Sequence, residues 1–169
     1  GSEFRMNTGL YGRVFDGAVL GGLCLKGRGD PTLQRSDLML FAQRAAEEGV
    51  RQVDQVTVDG TYFDGEFLPP LFEQQPNEIA PFRAAVAALS VKANAYTLRV
   101  RPGLAEGALA RVSVDGSGYF QLDNTLLTSA SGAASVIADD RATPDGVVLS
   151  LRGSVPLGSG ALAYERRVP

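Results

Sequence analysis

The chain has 169 residues, of which 44% are hydrophobic and 21% charged, and its formal net charge is −3. This composition is typical of a globular protein and excludes a disordered chain. Lysine and arginine are scattered, which argues against a nucleic-acid partner, and no apolar run reaches the roughly 18 residues of a membrane-spanning helix.

The sequence contains no histidine and a single cysteine, Cys24. Without histidine it lacks a Ser-His-Asp triad and the commonest zinc ligand, and one cysteine cannot form an intrachain disulfide. Cys24 lies in the apolar run 19–25, which favours a buried thiol over a reactive nucleophile. We therefore predict that the chain holds no metal and no cofactor.

The chain begins with a predicted β-hairpin. Residues 10–16 and 18–26 are typical of two strands, and Asp16-Gly17 suits the positive φ angles of a tight turn between them. The glycine- and proline-containing run 27–31 then interrupts any regular element.

Two helices are predicted in the first half of the chain. Ser36 is a good N-cap, apolar residues recur on one helical face, and Gly49 is a natural C-cap, so a helix is expected from Ser36 to Glu48. A strand is predicted at 53–58. The segment 81–89 begins with proline, which the first turn of a helix tolerates, and it is predicted to be the second helix.

From residue 96 onward the sequence predicts strands alone. Alternating apolar and polar residues separated by turn residues place these strands at 96–101, 109–114, 119–122, 147–155 and 161–168. Residues 128–135 are rich in serine, alanine and glycine and are expected to form a loop or an irregular strand.

These elements predict an α+β fold, consisting of an antiparallel sheet with two helices plus a smaller nested all-β subdomain. We interpret residues 1–4, Gly-Ser-Glu-Phe, as a cloning scar, and both ends are expected to be cut from a longer chain. Residues 5–95 together with 147–169 are expected to form a discontinuous α+β domain, and 96–146 the nested β subdomain.

The sequence lacks the motifs of serine acyl-transferases. Such enzymes carry Ser-x-x-Lys, in which the lysine can accept the serine proton. The only lysines are Lys26 and Lys92, and neither follows a serine by three positions; Ser90 is one position too close. Ser-x-Asn and Lys-Thr-Gly are also absent. We therefore predict no catalytic residue in this chain.

Two further patterns have simpler explanations than a binding site. Arg28-Gly29-Asp30 matches the integrin tripeptide, but a chance match in a glycine-rich turn is favoured. Asp139-Asp140 could bind a hard cation, although a solvated turn before Arg141 is the favoured reading.

Five segments in order resemble class C low-molecular-mass penicillin-binding proteins, which are D-Ala-D-Ala carboxypeptidases and endopeptidases that trim peptidoglycan peptides outside the cytoplasm. The segments are 27–33, 53–59, 79–82 with Ala88-Leu89 and Asn94, 153–156, and 166–169. The resemblance implies a catalytic domain split in sequence, with Ser-x-x-Lys before this stretch and the other two motifs after it. This chain would then be the inserted, non-catalytic region of a periplasmic or otherwise extracytoplasmic enzyme, whose partners are the catalytic domain of the same parent chain and a peptidoglycan peptide.

The resemblance also implies two residues of a substrate side-chain pocket. Tyr96 takes the place of an aromatic residue in the family, and Lys92 the place of an acidic one. A lysine there would repel the free amine of diaminopimelate, so the peptide preference would differ. The alternatives are that Tyr96 only packs within its strand and that Lys92 is solvated.

Two other identities of the whole chain also stay open. It could be a stand-alone module that binds cell wall or protein, or an unrelated α+β protein.

Overall fold

The chain forms two compact units in the computed structural model, which describes residues 6–72, 78–116 and 118–169. The first, called the α+β unit here, consists of the chain up to Glu78 together with Ala84–Asn94. The second, called the β unit, consists of Ile79–Arg83 and Ala95–Pro169. The predicted cloning scar at 1–4 lies outside the described residues.

The α+β unit contains a three-stranded sheet in the order β1-β2-β3, formed by Gly9–Phe15, Ala18–Lys26 and Val56–Asp59. The predicted hairpin is confirmed, because Phe15 pairs with Ala18 and the two residues between them have φ angles of 47° and 77°. Strand β3 runs parallel to β2, so the sheet is mixed and not antiparallel as predicted.

The first predicted helix is confirmed as α1, Arg35–Glu47. Its N-cap is Gln34, two residues before the predicted Ser36, and the Gln34 N–H donates to the Asp37 carboxylate at 2.7 Å. At the other end Gly49 has a φ of 92°, and the N–H groups of Gly49 and Val50 donate to the carbonyls of the last turn. This is a Schellman ending, for which glycine is the favoured residue.

The second predicted helix is wrong. Only Pro81–Arg83 forms a short 3-10 turn, and the rest of segment 81–89 is irregular. Its backbone groups bond to other segments instead of to each other: the Val86 N–H donates to the Phe67 carbonyl at 2.7 Å, and the Ala88 carbonyl accepts from Gly29 at 2.7 Å. Tertiary contacts therefore override the helical propensity of the alanines.

Glycine at position 27 is explained by close packing of two backbones. A Cβ on Gly27 would lie 2.2 Å from the Ala88 carbonyl oxygen, a distance that real structures do not tolerate. The turn beyond it is held by Asp30, whose carboxylate accepts from the Thr32 N–H at 2.9 Å and from its hydroxyl at 2.7 Å. The Arg28-Gly29-Asp30 tripeptide is thus part of a packed turn.

The β unit contains two sheets and seven strands among its described residues. One sheet has the order β10-β4-β5 and the other has β6-β9-β7, with β8 paired to β9. The strands are β4 Ala95–Arg101, β5 Arg111–Val114, β6 Phe120–Asn124, β7 Leu127–Ser129, β8 Ser135–Thr143, β9 Gly146–Pro156 and β10 Leu162–Arg167. Strands β6 and β7 run parallel to β9, whereas the other pairs are antiparallel.

Residues 147–169 belong to the β unit and do not join residues 5–95 in one domain as expected. Strand β9 is the centre of its sheet, with β8 on one side and β6 and β7 on the other, and β10 pairs with β4. The core of this unit is apolar and includes the fully buried Leu98, Leu149 and Leu151. Residues 96–146 would lack part of this core on their own, so the nested subdomain is replaced by a unit that extends to the end of the chain.

Strand β8 was not predicted. The expected solvated turn at Asp139-Asp140 is part of this strand, which pairs with β9 along its whole length. On β9, Gly153 is the cross-strand partner of Val136 and has a φ of 116°, and a Cβ there would meet the Ser135 carbonyl oxygen at 2.0 Å. Glycine is therefore required at this position of the 153–156 motif, because the β8 backbone leaves no room for a side chain.

Candidate functional site

The first lysine of the chain is engaged in an ion pair. Lys26 and Asp59 lie side by side at the ends of β2 and β3, with the ammonium nitrogen 2.7 Å from the carboxylate. The hydrogen bonds from Lys26 and from Thr61 hold the pKa of Asp59 well below its usual range. The Lys26 side chain is thus engaged by a carboxylate.

Cys24 lies on the same strand as Lys26 and is half-buried. The sequence predicted full burial for this thiol. Strand β2 is the central strand of this sheet, so the partial exposure of Cys24 arises on a face of the sheet and not at its edge.

The second lysine lies in a left-handed turn. Lys92, Ala93 and Asn94 have consecutive φ angles of 52°, 50° and 54°. Such a conformation costs roughly 1–2 kcal/mol per residue that carries a Cβ, and backbone strain of this kind clusters at functional sites. The turn is fastened by the Asn94 amide, which donates to the Ala85 carbonyl at 2.8 Å and to the Ser90 hydroxyl at 2.9 Å.

Tyr96 lies in the core of the β unit. Its side chain is 2% exposed, and its ring packs on Phe120 with centroids 4.6 Å apart. Lys92 belongs to the other unit. The structure therefore places the two predicted pocket residues in different units, and their role in a substrate pocket stays a prediction.

A buried ion pair lies beside Tyr96. Arg166 is the cross-strand neighbour of Tyr96, and its guanidinium donates to the Asp140 carboxylate at 2.9 Å and to the Ala138 carbonyl at 2.8 Å. Burial raises the pKa of the Tyr96 hydroxyl above its usual value, and the positive charge of Arg166 offsets only part of this rise. Among the described residues, neither the Tyr96 hydroxyl nor Arg166 Nε has a hydrogen-bond partner. Sequence reasoning missed this cluster because its members are far apart in sequence.

An apolar groove lies between α1 and the sheet of the α+β unit. It encloses about 430 Å³. Leucine, valine, alanine and phenylalanine side chains from α1, β1, β2 and the 50–56 segment line most of it, among them Leu23, Leu25, Leu38 and Phe41. No residue of α1 is buried. The helix thus covers the sheet incompletely, and an amphipathic helix of this kind gains its stability mainly from packing.

The described residues offer neither a metal site nor a bilayer-spanning helix. Nowhere in these ranges do three or more histidine, cysteine, aspartate or glutamate side chains come together as metal ligands. Within the same ranges, no helix has the length and apolar character needed to cross a bilayer.

The family of the chain follows from comparison with known proteins. The family model described as the D-Ala-D-Ala carboxypeptidase 3 (S13) family matches residues 1–169. The chain belongs to this family. Over 155 residues it is 34% identical to the D-alanyl-D-alanine carboxypeptidase of Actinomadura sp. (strain R39), a match that covers 86% of this chain and 28% of that protein. The resemblance inferred from the sequence is confirmed.

Solved structures support the fold assignment. Penicillin binding protein 4 (dacB) from Haemophilus influenzae superposes with a TM-score of 0.71 at 16% identity, over 98% of this chain and 37% of that one. A second crystal structure of that protein, complexed with a novel beta-lactam, gives a TM-score of 0.61 at 16% identity over 99% and 35% of the two chains. The S13 family chain thus spans less than two-fifths of the length of these relatives.

Proposed function

We propose that this chain is the non-catalytic inserted region of a serine-type D-Ala-D-Ala carboxypeptidase that trims peptidoglycan peptides in the periplasm or outside the cell. The proposal rests on two observations taken together, the family match and the missing catalytic motifs. The whole chain matches the S13 family, yet its sequence lacks Ser-x-x-Lys, Ser-x-Asn and Lys-Thr-Gly. A family member without these motifs needs another stretch of polypeptide to cut a bond.

The environments of the two lysines support the proposal. Acyl transfer by serine requires a base close enough to take the hydroxyl proton. Lys26 is held by Asp59 at 2.7 Å at the ends of β2 and β3, and Lys92 lies in the left-handed turn, two positions after Ser90. The Ser90 hydroxyl donates to the Ala87 carbonyl at 3.2 Å, so it serves the local turn.

The proposed partner is the catalytic domain of the same parent chain. The match covers only 28% of the Actinomadura carboxypeptidase, which leaves most of that relative outside it. The incompletely covered groove under α1 offers an apolar surface for such a domain. Val56 and Val58 are also 60% and 63% exposed on the neighbouring strand β3. Contiguous exposed apolar surface is a feature of sites where proteins contact other domains.

The proposed role in the parent is to shape access to the active-site cleft and to position the peptide. Under this proposal Lys92 would face the substrate side chain, whereas the buried Tyr96 would support the same segment from within the core. The positive charge of Lys92 would then disfavour peptides with a free side-chain amine. Replacing Lys92 with glutamate in the parent enzyme should therefore raise the rate on diaminopimelate peptides relative to peptides whose side-chain amine is acetylated.

Fluorescent penicillin labelling tests the proposal directly. The 169-residue chain should form no covalent adduct, whereas the parent protein encoded by the same gene should be labelled, and the parent with its Ser-x-x-Lys serine replaced by alanine should not. Labelling of the isolated chain would contradict the proposal. So would a gene that lacks Ser-x-x-Lys before this region and Lys-Thr-Gly after it.

A further inference from the structure

Three arginines line one hollow on the solvent-facing side of β4 and β5. Arg99 and Arg101 project from β4, and Arg111 projects from β5. The hollow encloses about 350 Å³ and is completed by Val112 and Ser113. All three arginines are exposed, whereas the intervening Val100 is fully buried, so the alternation of the strand directs the charges to one face.

The strand register places two of these charges directly opposite each other. Arg101 is the cross-strand partner of Arg111, and Arg99 faces Ser113. Side chains in directly opposite positions have Cβ atoms roughly 5 Å apart, and like charges there are destabilising. A bound anion between the two guanidinium groups would offset this repulsion.

The existing partners leave most of this charge unneutralised. Arg99 pairs with Asp115 at 2.5 Å. Arg111 donates through Nε to the Pro102 carbonyl at 3.2 Å, which fixes its guanidinium without supplying a negative charge. Within the part of the chain that the structure describes, neither Arg101 nor Arg111 has a carboxylate partner.

We propose that this hollow binds the carboxylate groups of a peptidoglycan stem peptide. Guanidinium groups bind carboxylates through two parallel hydrogen bonds, and the opposed pair Arg101 and Arg111 presents two such donors to one ligand. The volume is at the lower end of that of small-molecule pockets, so it suits a short peptide and not a folded partner. A nucleic acid would need a longer basic track than three residues. The identity of the ligand rests on the proposed function, whereas the anion site rests on the strand register.

Binding of a defined peptide to the 169-residue chain tests the inference. The probe is a tetrapeptide released from peptidoglycan with free carboxylates, and the comparison probe is the same peptide with its carboxylates amidated. Isothermal titration should detect binding of the first and none of the second, with affinity falling as salt is added. Arg101→Gln and Arg111→Gln should each weaken binding by about tenfold or more, the loss expected for a charge-assisted hydrogen bond.

Arg152→Gln is the matched control. Arg152 lies in the same unit, and its ion pair with Asp139 is also exposed. This variant should bind the peptide as the unchanged chain does. An equal loss in the control would overturn the inference, because it would mean that general positive charge is sufficient.

Thermal unfolding separates loss of binding from loss of folding. Without peptide at low salt, Arg101→Gln should melt at the same or a higher temperature than the unchanged chain, since a repulsion is removed. A fixed concentration of peptide should raise the melting temperature of the unchanged chain more than that of the variant, because the variant binds it more weakly.

Three results would overturn the inference. They are an absence of peptide binding, binding that persists in both arginine variants, and binding of inorganic phosphate but not of the peptide. The first is the result expected if the arginines only protect the edge strand β5 from pairing with other chains.

Penicillin labelling of the parent does not depend on this hollow. A labelled parent with no peptide binding here would refute the arginine site alone, and peptide binding with an unlabelled parent would refute the proposed function alone.

Discussion

The two units of this S13 family chain differ in how completely they bury their own apolar side chains. The β unit contains all eight of the largest fully buried side chains among the described residues. They are Tyr96, Leu98, Val100, Leu126, Val147, Leu149, Leu151 and Val155. Among the described residues of the α+β unit, the buried hydrophobic ones are Val19, Leu33, Ala84 and Ala88, and no residue of α1 is buried.

Among the described residues, the β unit therefore buries a core of its own, whereas the α+β unit leaves more of its apolar surface uncovered. Burial of apolar area is the main favourable term in folding, at roughly 25 cal/mol per Å². A helix whose apolar face is only half-covered gains less of this free energy. Within the proposed parent, the missing cover would be the catalytic domain.

The largest expected effect is the loss of stability when a core side chain of the β unit is truncated. Leu149→Ala should lower the free energy of unfolding by about 2–5 kcal/mol, because the side chain is fully buried and its removal leaves a cavity. Leu38→Ala on the half-covered face of α1 should cost about 1 kcal/mol or less. Amide hydrogen exchange in urea reports each unit separately. Equal costs in the two units would contradict the comparison.

The second effect contrasts two neighbouring aspartates of β8. Asp140→Asn should cost about 1.5–3 kcal/mol, because it removes the charged partner of Arg166 in an ion pair whose side chains are only 10% and 14% exposed. Asp139→Asn breaks a pair with Arg152 whose side chains are 59% and 61% exposed, and it should cost less than about 1 kcal/mol. Urea unfolding measures both. A larger loss in the Asp139 variant would refute the ranking by burial.

The third effect is an increase in the stability of the α+β unit. Ala93→Gly should raise the free energy of unfolding by about 0.5–1 kcal/mol, because alanine is strained at a φ of 50° and glycine is not. Ala42→Gly in the interior of α1 should lower it by a similar amount. Thermal melts of the two variants should therefore move in opposite directions. A loss in both would show that the left-handed turn is unstrained.

The smallest effect is a pH dependence in the β unit. The folded-state pKa of Tyr96 is raised, so above the unfolded value of about 10 the unfolded chain loses this proton while the folded chain retains it. The stability of the β unit should therefore fall as the pH rises above about 10. Tyr96→Phe should reduce this fall and cost little at neutral pH, since the hydroxyl has no hydrogen-bond partner among the described residues. Unfolding curves at pH 7 and at alkaline pH test both expectations, and an unchanged alkaline fall in the variant would contradict the assignment to Tyr96.

Local patterns in the sequence predicted local structure well. The Asp16-Gly17 hairpin and the Gly49 helix end follow from backbone preferences of a few neighbouring residues, and both are present. Strand β8 could not be found in the same way, since Asp139 and Asp140 are accommodated by arginines from strands that come later in the chain. Segment 81–89 failed as a helix for a related reason, because its backbone partners are distant loops.

The candidate sites were harder to predict than the elements. Arg99 and Arg101 alternate visibly in the sequence, but the register that sets Arg101 against Arg111 exists only once β4 and β5 have paired. The burial of Tyr96 likewise depends on Phe120 and Arg166, which approach it from other strands. A one-residue change of register would move each of these side chains to the opposite face.

Release of D-alanine from a peptidoglycan pentapeptide tests the central claim most directly, when measured in parallel on the 169-residue chain and on its parent protein. We predict no release above the uncatalysed rate from the chain and steady turnover by the parent. Turnover by the isolated chain would show that it contains a nucleophile and base of its own, and would contradict its assignment as a non-catalytic region.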